Sequence, residues 1–158
     1  MIIAGIDPGK TGALVVLDTD RLLFGAATVH RVPLMKTPKE APAWTEWART
    51  WSAALAFAEL VVIEQVSARP TQGVVSMFTF GKSYGFAHAL AAGAGVPVEF
   101  VTPAKWKSAM KLIGADKNAS REKARQLIPA LAPELTRVKD DGVAEAALLA
   151  LYGRTLTP

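Results

Sequence analysis

The chain contains no cysteine and only two histidines, His30 and His88. That excludes disulfides and thiolate metal sites and argues against a zinc centre. No apolar run is long enough to span a membrane. The N-terminus lacks the basic start and small-residue cleavage site of a signal peptide, so a cytoplasmic location is expected. Internal repeats and low-complexity segments are also missing. What remains is a chain of 158 residues, 51% hydrophobic and 20% charged. Those proportions describe one globular domain over 1–158 with enough apolar surface for a real core. The net charge of +4 mildly favours an anionic partner, but its distribution is more informative than its total.

The N-terminal stretch Ile2-Ile3-Ala4-Gly5-Ile6 is an unbroken apolar run that ends on Asp7 and breaks into the turn Pro8-Gly9-Lys10-Thr11-Gly12. A short apolar run bounded by turn signals reads as a buried strand. Asp7 then sits at its carboxyl end, the edge where open α/β sheets bind ligands. A buried carboxylate needs a metal, a basic partner or strong hydrogen bonds. Asp-Pro-Gly is also ordinary turn chemistry, and by itself Asp7 fits either role.

Ala13 to Asp18 and Leu22 to Val29 read as two further strands joined by a polar turn, giving a three-stranded antiparallel meander with the first. His30 to Pro42, with three prolines, reads as an exposed connection. Trp44, Trp47, Trp51, Leu55 and Ala58 recur at helical spacing, so Ala43 to Ala58 is expected to be a helix with its tryptophans in the core. Leu60-Val61-Val62-Ile63-Glu64 is a second apolar run ending on a carboxylate. Strand, helix, strand implies a crossover to a parallel neighbour, which would bring Asp7 and Glu64 to the same edge. Ser67 to Gly73 reads as a polar loop. Val74 to Ala94 reads as a long helix, with a break conceivable at Gly81 or Gly85. Small residues at Gly81, Gly85, Ala89 and Ala92 would let it lie close to the sheet or to a second subunit. Pro97 to Val101 is a short last strand. Thr102-Pro103 forms a helix start for Ala104 to Leu112. Further helices are expected over Ser120 to Leu127 and Asp141 to Gly153.

Asp141 and Glu145 stand four apart, so they share a face of the last helix. Leu148 and Tyr152 extend that face, which should pack inward. Capping explains an Asp at the helix start but explains Glu145, a turn further in, poorly. Asp140 points about 100° away from Asp141, so Asp141 is preferred for a site. Asp7, Glu64, Asp141 and Glu145 would form a hard-oxygen cluster suited to Mg²⁺ or Mn²⁺. Two such ions about 4 Å apart activate a water and stabilise the leaving oxygen in phosphodiester cleavage. No Ser, Cys or His nucleophile is needed.

Gly5-Ile6-Asp7-Pro8-Gly9 with Thr11-Gly12, Ile63-Glu64, Gly81-Lys82-Ser83-Tyr84-Gly85, Thr102-Pro103-Ala104-Lys105-Trp106-Lys107 and the C-terminal acids occur in order from Ile3 to Tyr152. This ordered set resembles the RuvC family of Holliday-junction resolvases, most of all its shorter phage-type branch. The resemblance implies an α/β, ribonuclease-H-like fold with a mixed five-stranded sheet, three strands antiparallel and two parallel, flanked by helices. It also implies a homodimer and Mg²⁺-dependent cleavage of four-way DNA junctions by paired nicks. Asp7 matches the family's first-strand metal ligand, Glu64 the acid ending its fourth strand, and Glu145 the final-helix acid. The family pattern has two acids three apart, and Gly142 stands where the other would fall. Asp141 is the replacement chosen, with Asp140 the alternative. Lys107 matches a lysine near the scissile phosphate, and Lys117 or Lys123 matches another.

Lys105, Lys107, Lys111, Lys117, Arg121, Lys123 and Arg125 cluster before the last helix, either as a phosphate-neutralising surface or as a solvated helix face. Phe78, Phe80 and Tyr84 lie beside Lys82; one could stack on an unpaired base, although packing is the commoner use of an aromatic. Candidate nucleic-acid contacts are therefore Lys82, Lys105, Lys107, Lys117, Lys123 and Phe78. A phosphate loop around Gly9-Lys10-Thr11 fails because Ala4 occupies the first glycine position. An actin-like ATPase would need a second such domain. The remaining rivals are a related nuclease acting on RNA or other branched DNA, and a catalytically silent binding module.

Overall fold

Five strands lie in the order β3-β2-β1-β4-β5, with the N-terminal strand β1 (Ile2–Asp7) in the centre. The computed structural model describes residues 1–21, 27–36, 41–67, 73–116 and 118–157. Leu22 to Ala26 of the expected third strand, the middle of the Ser67–Gly73 loop, part of the His30–Pro42 connection and Lys117 fall outside them. β1 pairs antiparallel with β2 (Ala13–Asp18), which pairs antiparallel with β3 (Ala27–Arg31). On its other side β1 runs parallel to β4 (Leu60–Glu64), and β4 parallel to β5 (Val98–Val101). This is the mixed ribonuclease-H-like sheet expected, three strands antiparallel and two parallel.

Alternation along β1 and β4 decides where the acids point. Side chains two apart in a strand share a face. Ala4, Ile6, Val61 and Ile63 pack with Trp47, Trp51 and Leu55 of α1 (Trp44–Leu55) and with Ala87 and Ala91 of α2 (Val74–Gly93). Ile3, Leu60 and Val62 pack on the opposite face, with Ala146, Ala147 and Ala150 of α5 (Asp141–Gly153) and with Trp106 of α3 (Pro103–Ala109). Asp7 follows Ile3 and Gly5 in parity, and Glu64 follows Leu60 and Val62. Both carboxylates therefore face the α5 layer. α4 (Ala119–Leu127) and two short 3₁₀ turns, Pro129–Glu134 and Val138–Asp140, lead into α5.

Some local expectations are revised. α2 runs unbroken through Gly81 and Gly85, where an added Cβ would meet nothing within 4 Å. The small residues against the sheet are Ser83, Ala87 and Ala91; Gly81, Gly85, Ala89 and Ala92 are exposed. A 20-residue helix offers several stripes four apart, and composition alone does not say which one faces inward. Thr102 stands at the start of α3, but its hydroxyl makes no capping bond. In the connection after β3, Val32 is buried and Leu34 bridges to Pro42.

Candidate active site at the carboxyl edge of the sheet

Ile6 of β1 is in register with Ile63 of β4, so Asp7 and Glu64 leave the sheet side by side. α5 begins directly above them. A Cβ on Gly142 would come within 2.6 Å of the Thr11 carbonyl oxygen and 2.8 Å of Asp7 Oδ2. The position at which the resemblance seeks an acid therefore accepts no side chain at all. The acids of α5 flank that contact instead. Asp7, Asp141 and Glu145 line one open cavity of about 500 Å³ together with Thr11, Lys107 and Ser120.

Each remaining acid meets a hydrogen-bonding or charged partner from α3 or α4. Glu64 is buried and accepts a 2.9 Å hydrogen bond from the Trp106 indole. Glu145 lies 3.0 Å from Lys107 Nζ and accepts a 3.3 Å bond from the Ser120 hydroxyl. Asp141 Oδ1 is 2.8 Å from Arg121 Nε. Neither of those two atoms has a hydrogen-bond partner, so the contact is one of charge and not of an aligned donor. Burial pushes the Asp7 carboxyl up to about 7; the Gly9 N–H and Lys107 oppose the rise, and Glu145 and Glu64 add to it. Burial also raises Glu64, with the indole bond opposing it and Glu145 reinforcing it.

The oxygen-only donor set suits a hard divalent cation. A carboxyl driven towards neutrality by burial first, with neighbouring carboxylates adding to the rise, is the electrostatic setting in which such a cation binds. Among the described residues, however, no three acids or histidines stand in a metal-holding arrangement. Trp106, Lys107 and Arg121 each engage one carboxylate, so a shared ion requires some of these contacts to be exchanged.

Asp140 does not belong to this cavity. Its side chain is buried and accepts bonds from the Arg137 side chain at 2.8 and 3.2 Å, from the Arg137 backbone N–H at 2.8 Å and from Arg31 at 3.3 Å. Burial pushes its carboxyl up, but those bonds outweigh it and hold the group at about 2. A depressed carboxyl contributes stability that is present above the ordinary carboxylate value and lost as pH falls towards 2. Asp140→Asn is expected to cost about 2 kcal/mol at pH 7. In urea unfolding the gap to wild type should narrow below about pH 4; a gap independent of pH would show that packing, not charge, holds the turn.

The expected basic surface is only partly available. Arg121 is buried against Asp141 and Asn118, and Arg125 binds Glu122 and the Leu135 carbonyl. Lys105 is exposed and Lys123 half-buried; neither lines the acid cavity. Phe78 is 68% exposed, so its ring is not core, and Lys82 Nζ sits 5.2 Å from its centroid. Sequence reasoning overlooked Trp106, Ser120 and Arg121 as the residues that hold the acids.

No protein-family model and no curated protein matches the sequence. Solved structures do. RuvC of Thermus thermophilus in complex with a Holliday junction substrate is 24% identical, with 98% of this chain and 96% of that one covered and a TM-score of 0.64. A second Thermus thermophilus RuvC structure is 25% identical over 99% and 98% of the two chains, with a TM-score of 0.57. The chain has the ribonuclease-H-like fold of RuvC. The RuvC-like order of strands is what brings the ends of β1 and β4 together beneath α5. Among the described residues, no helix is long and apolar enough to cross a membrane.

Proposed function

We propose that this chain is a Mg²⁺-dependent endonuclease that resolves four-way DNA junctions by paired nicks, acting as a homodimer. The observation that carries this reading is the convergence of Asp7, Asp141 and Glu145 on one cavity beside Glu64, in a RuvC-like fold. Asp7, Glu64, Asp141 and Glu145 are the residues that would hold divalent ions, with Mn²⁺ an acceptable substitute for Mg²⁺. The ions would supply an activated water and stabilise the leaving oxygen. Trp106 fixes the Glu64 carboxylate, while Ser120 and Arg121 hold the α5 acids at the cavity wall.

Lys107 is placed to offset charge developing on the phosphate. Its ammonium reaches Glu145 and is felt at both Asp7 and Glu64. Lys107→Ala is expected to slow single-turnover cleavage about 10²-fold and to weaken binding far less. An unchanged rate at saturating enzyme would make it an ordinary surface lysine.

Paired nicks need two active sites. Val74, Val75 and Phe78 are exposed at the start of α2, beside the open side of Gly81, and this apolar face suits a second copy of the chain. The deciding experiment compares Mg²⁺-dependent nicking of a synthetic four-way junction, a linear duplex and an RNA–DNA hybrid. Selective cutting of the junction supports the proposal. Preference for the hybrid or the duplex would assign a different nuclease activity, and binding without cutting would leave a silent module.

A further inference from the structure

Thr11 separates two cavities. One holds the acids. The other, about 210 Å³, is lined by Lys10, Arg31, Arg137 and Lys139 around the single carboxylate of Asp140. Asp140 does not require four cations. Its Oδ1 already accepts from Arg31 and Arg137, and its Oδ2 from the Arg137 backbone and Nε. Lys10 and Lys139 take part in no ion pair among the described residues. Gathering like charges is costly unless an anion joins them. Arg31 also binds the Glu134 carboxylate at 2.8 Å and the Glu134 carbonyl, so two carboxylates stand against four cations and an excess of two positive charges remains; the Arg31 and Arg137 side chains are 39% and 53% exposed. Both terminal nitrogens of Arg31, and Nε and Nη2 of Arg137, are already engaged, so the guanidinium groups supply fixed charge and the Arg137 Nη1 edge, with the two lysines as adaptable point charges beside them. Such a mixture is suited to a singly charged phosphodiester with several acceptor oxygens. Because Asp140 is buried and saturated, its own repulsion of an anion is largely cancelled.

We propose that the cavity of Lys10, Arg31, Arg137 and Lys139 takes a backbone phosphate of the substrate strand, flanking the one cut on the acid side of Thr11. This rests on the nuclease reading. It gives Lys10 a phosphate-binding role through side-chain charge, in a turn that lacks the glycine pattern of a phosphate loop. It also explains why the Asp140 cluster adjoins the active site: the carboxylate holds two arginines in place for the strand.

The test uses the full chain without divalent metal and a fluorescent synthetic four-way junction, with affinity measured between about 50 and 200 mM salt. Lys10→Ala/Lys139→Ala is compared with wild type and with Arg49→Ala, an exposed change on α1. The double variant is expected to bind about tenfold more weakly, and its salt dependence to be shallower by about one unit. If it matches Arg49→Ala in both respects while wild type nicks the junction in Mg²⁺, the phosphate site is overturned and the nuclease reading stands. If wild type neither binds nor cuts the junction, both fall, and the wild-type measurement alone reveals it.

Discussion

Asp7→Asn is expected to lower junction cleavage by about 10³-fold or more while leaving junction affinity nearly intact. A metal ion acting on a phosphoryl oxygen is worth several kcal/mol, and about 4 kcal/mol corresponds to about 10³-fold in rate. Asp7 is the acid that links both layers of the site, because it leaves β1 beside Glu64 and touches the start of α5 at Gly142. The amide preserves shape and removes the charge that a cation needs. The basic surface is untouched, so binding should survive.

Stability should move the opposite way. The carboxyl stands at about 7, above the ordinary 3.8, so the folded state binds more protons than the unfolded one between those values. Stability then falls as pH rises from about 4 through 7, and is level beyond. Asp7→Asn escapes that loss. Without divalent metal it should be more stable than wild type at pH 8 by on the order of 2–4 kcal/mol, and equal to it near pH 4. Added Mg²⁺ should stabilise wild type and not the variant. Thermal melts at both pH values, with and without Mg²⁺, check this beside a single-turnover nicking assay. A variant that cuts like wild type removes Asp7 from the chemistry. One that is less stable than wild type at pH 8 makes the carboxylate a structural element.

Legibility in the sequence followed the physics of each element. β1, β2, β4 and α5 match their apolar runs and helical spacing residue for residue, because central strands buried on both faces and a helix buried along its length leave continuous signals. The juxtaposition of Asp7 with Glu64 was legible from the crossover rule. The partners of the acids were not. Arg121 reads as one more cation in a basic run, and only the packing of α4 on α5 turns it towards Asp141. Trp106 stands between two lysines, and nothing local signals that its indole reaches back 42 residues to Glu64. Asp141 lines the acid cavity and Asp140 does not, the direction helical geometry suggested. The cause, the pull of Arg31 and Arg137 on Asp140, comes from segments distant in the chain or from a turn whose conformation the sequence does not specify.

Gly5→Ala is expected to destabilise the protein by about 4 kcal/mol or more, beyond the ordinary range for a point change. A Cβ at this position would lie 1.9 Å from the Ala146 carbonyl oxygen and 2.5 Å from the Ala150 backbone nitrogen. Both are backbone atoms of α5 and cannot rotate aside as a side chain can. The helix must lift from the central strand, and the interior is too closely packed to absorb that without opening contacts elsewhere. Since a domain's whole stability is about 5–15 kcal/mol, much of the variant should unfold at modest urea. Lifting α5 also carries Asp141 and Glu145 away from Asp7, so cleavage by any folded remainder should fall too. Gly85→Ala is the contrast. Its Cβ would meet nothing, and alanine within an exposed helix should add up to about 1 kcal/mol. Equal urea midpoints for the two variants would mean that α5 does not lie directly on β1. The close approach that sets two acids of a helix above two acids of a sheet would then be wrong, and the active-site geometry with it.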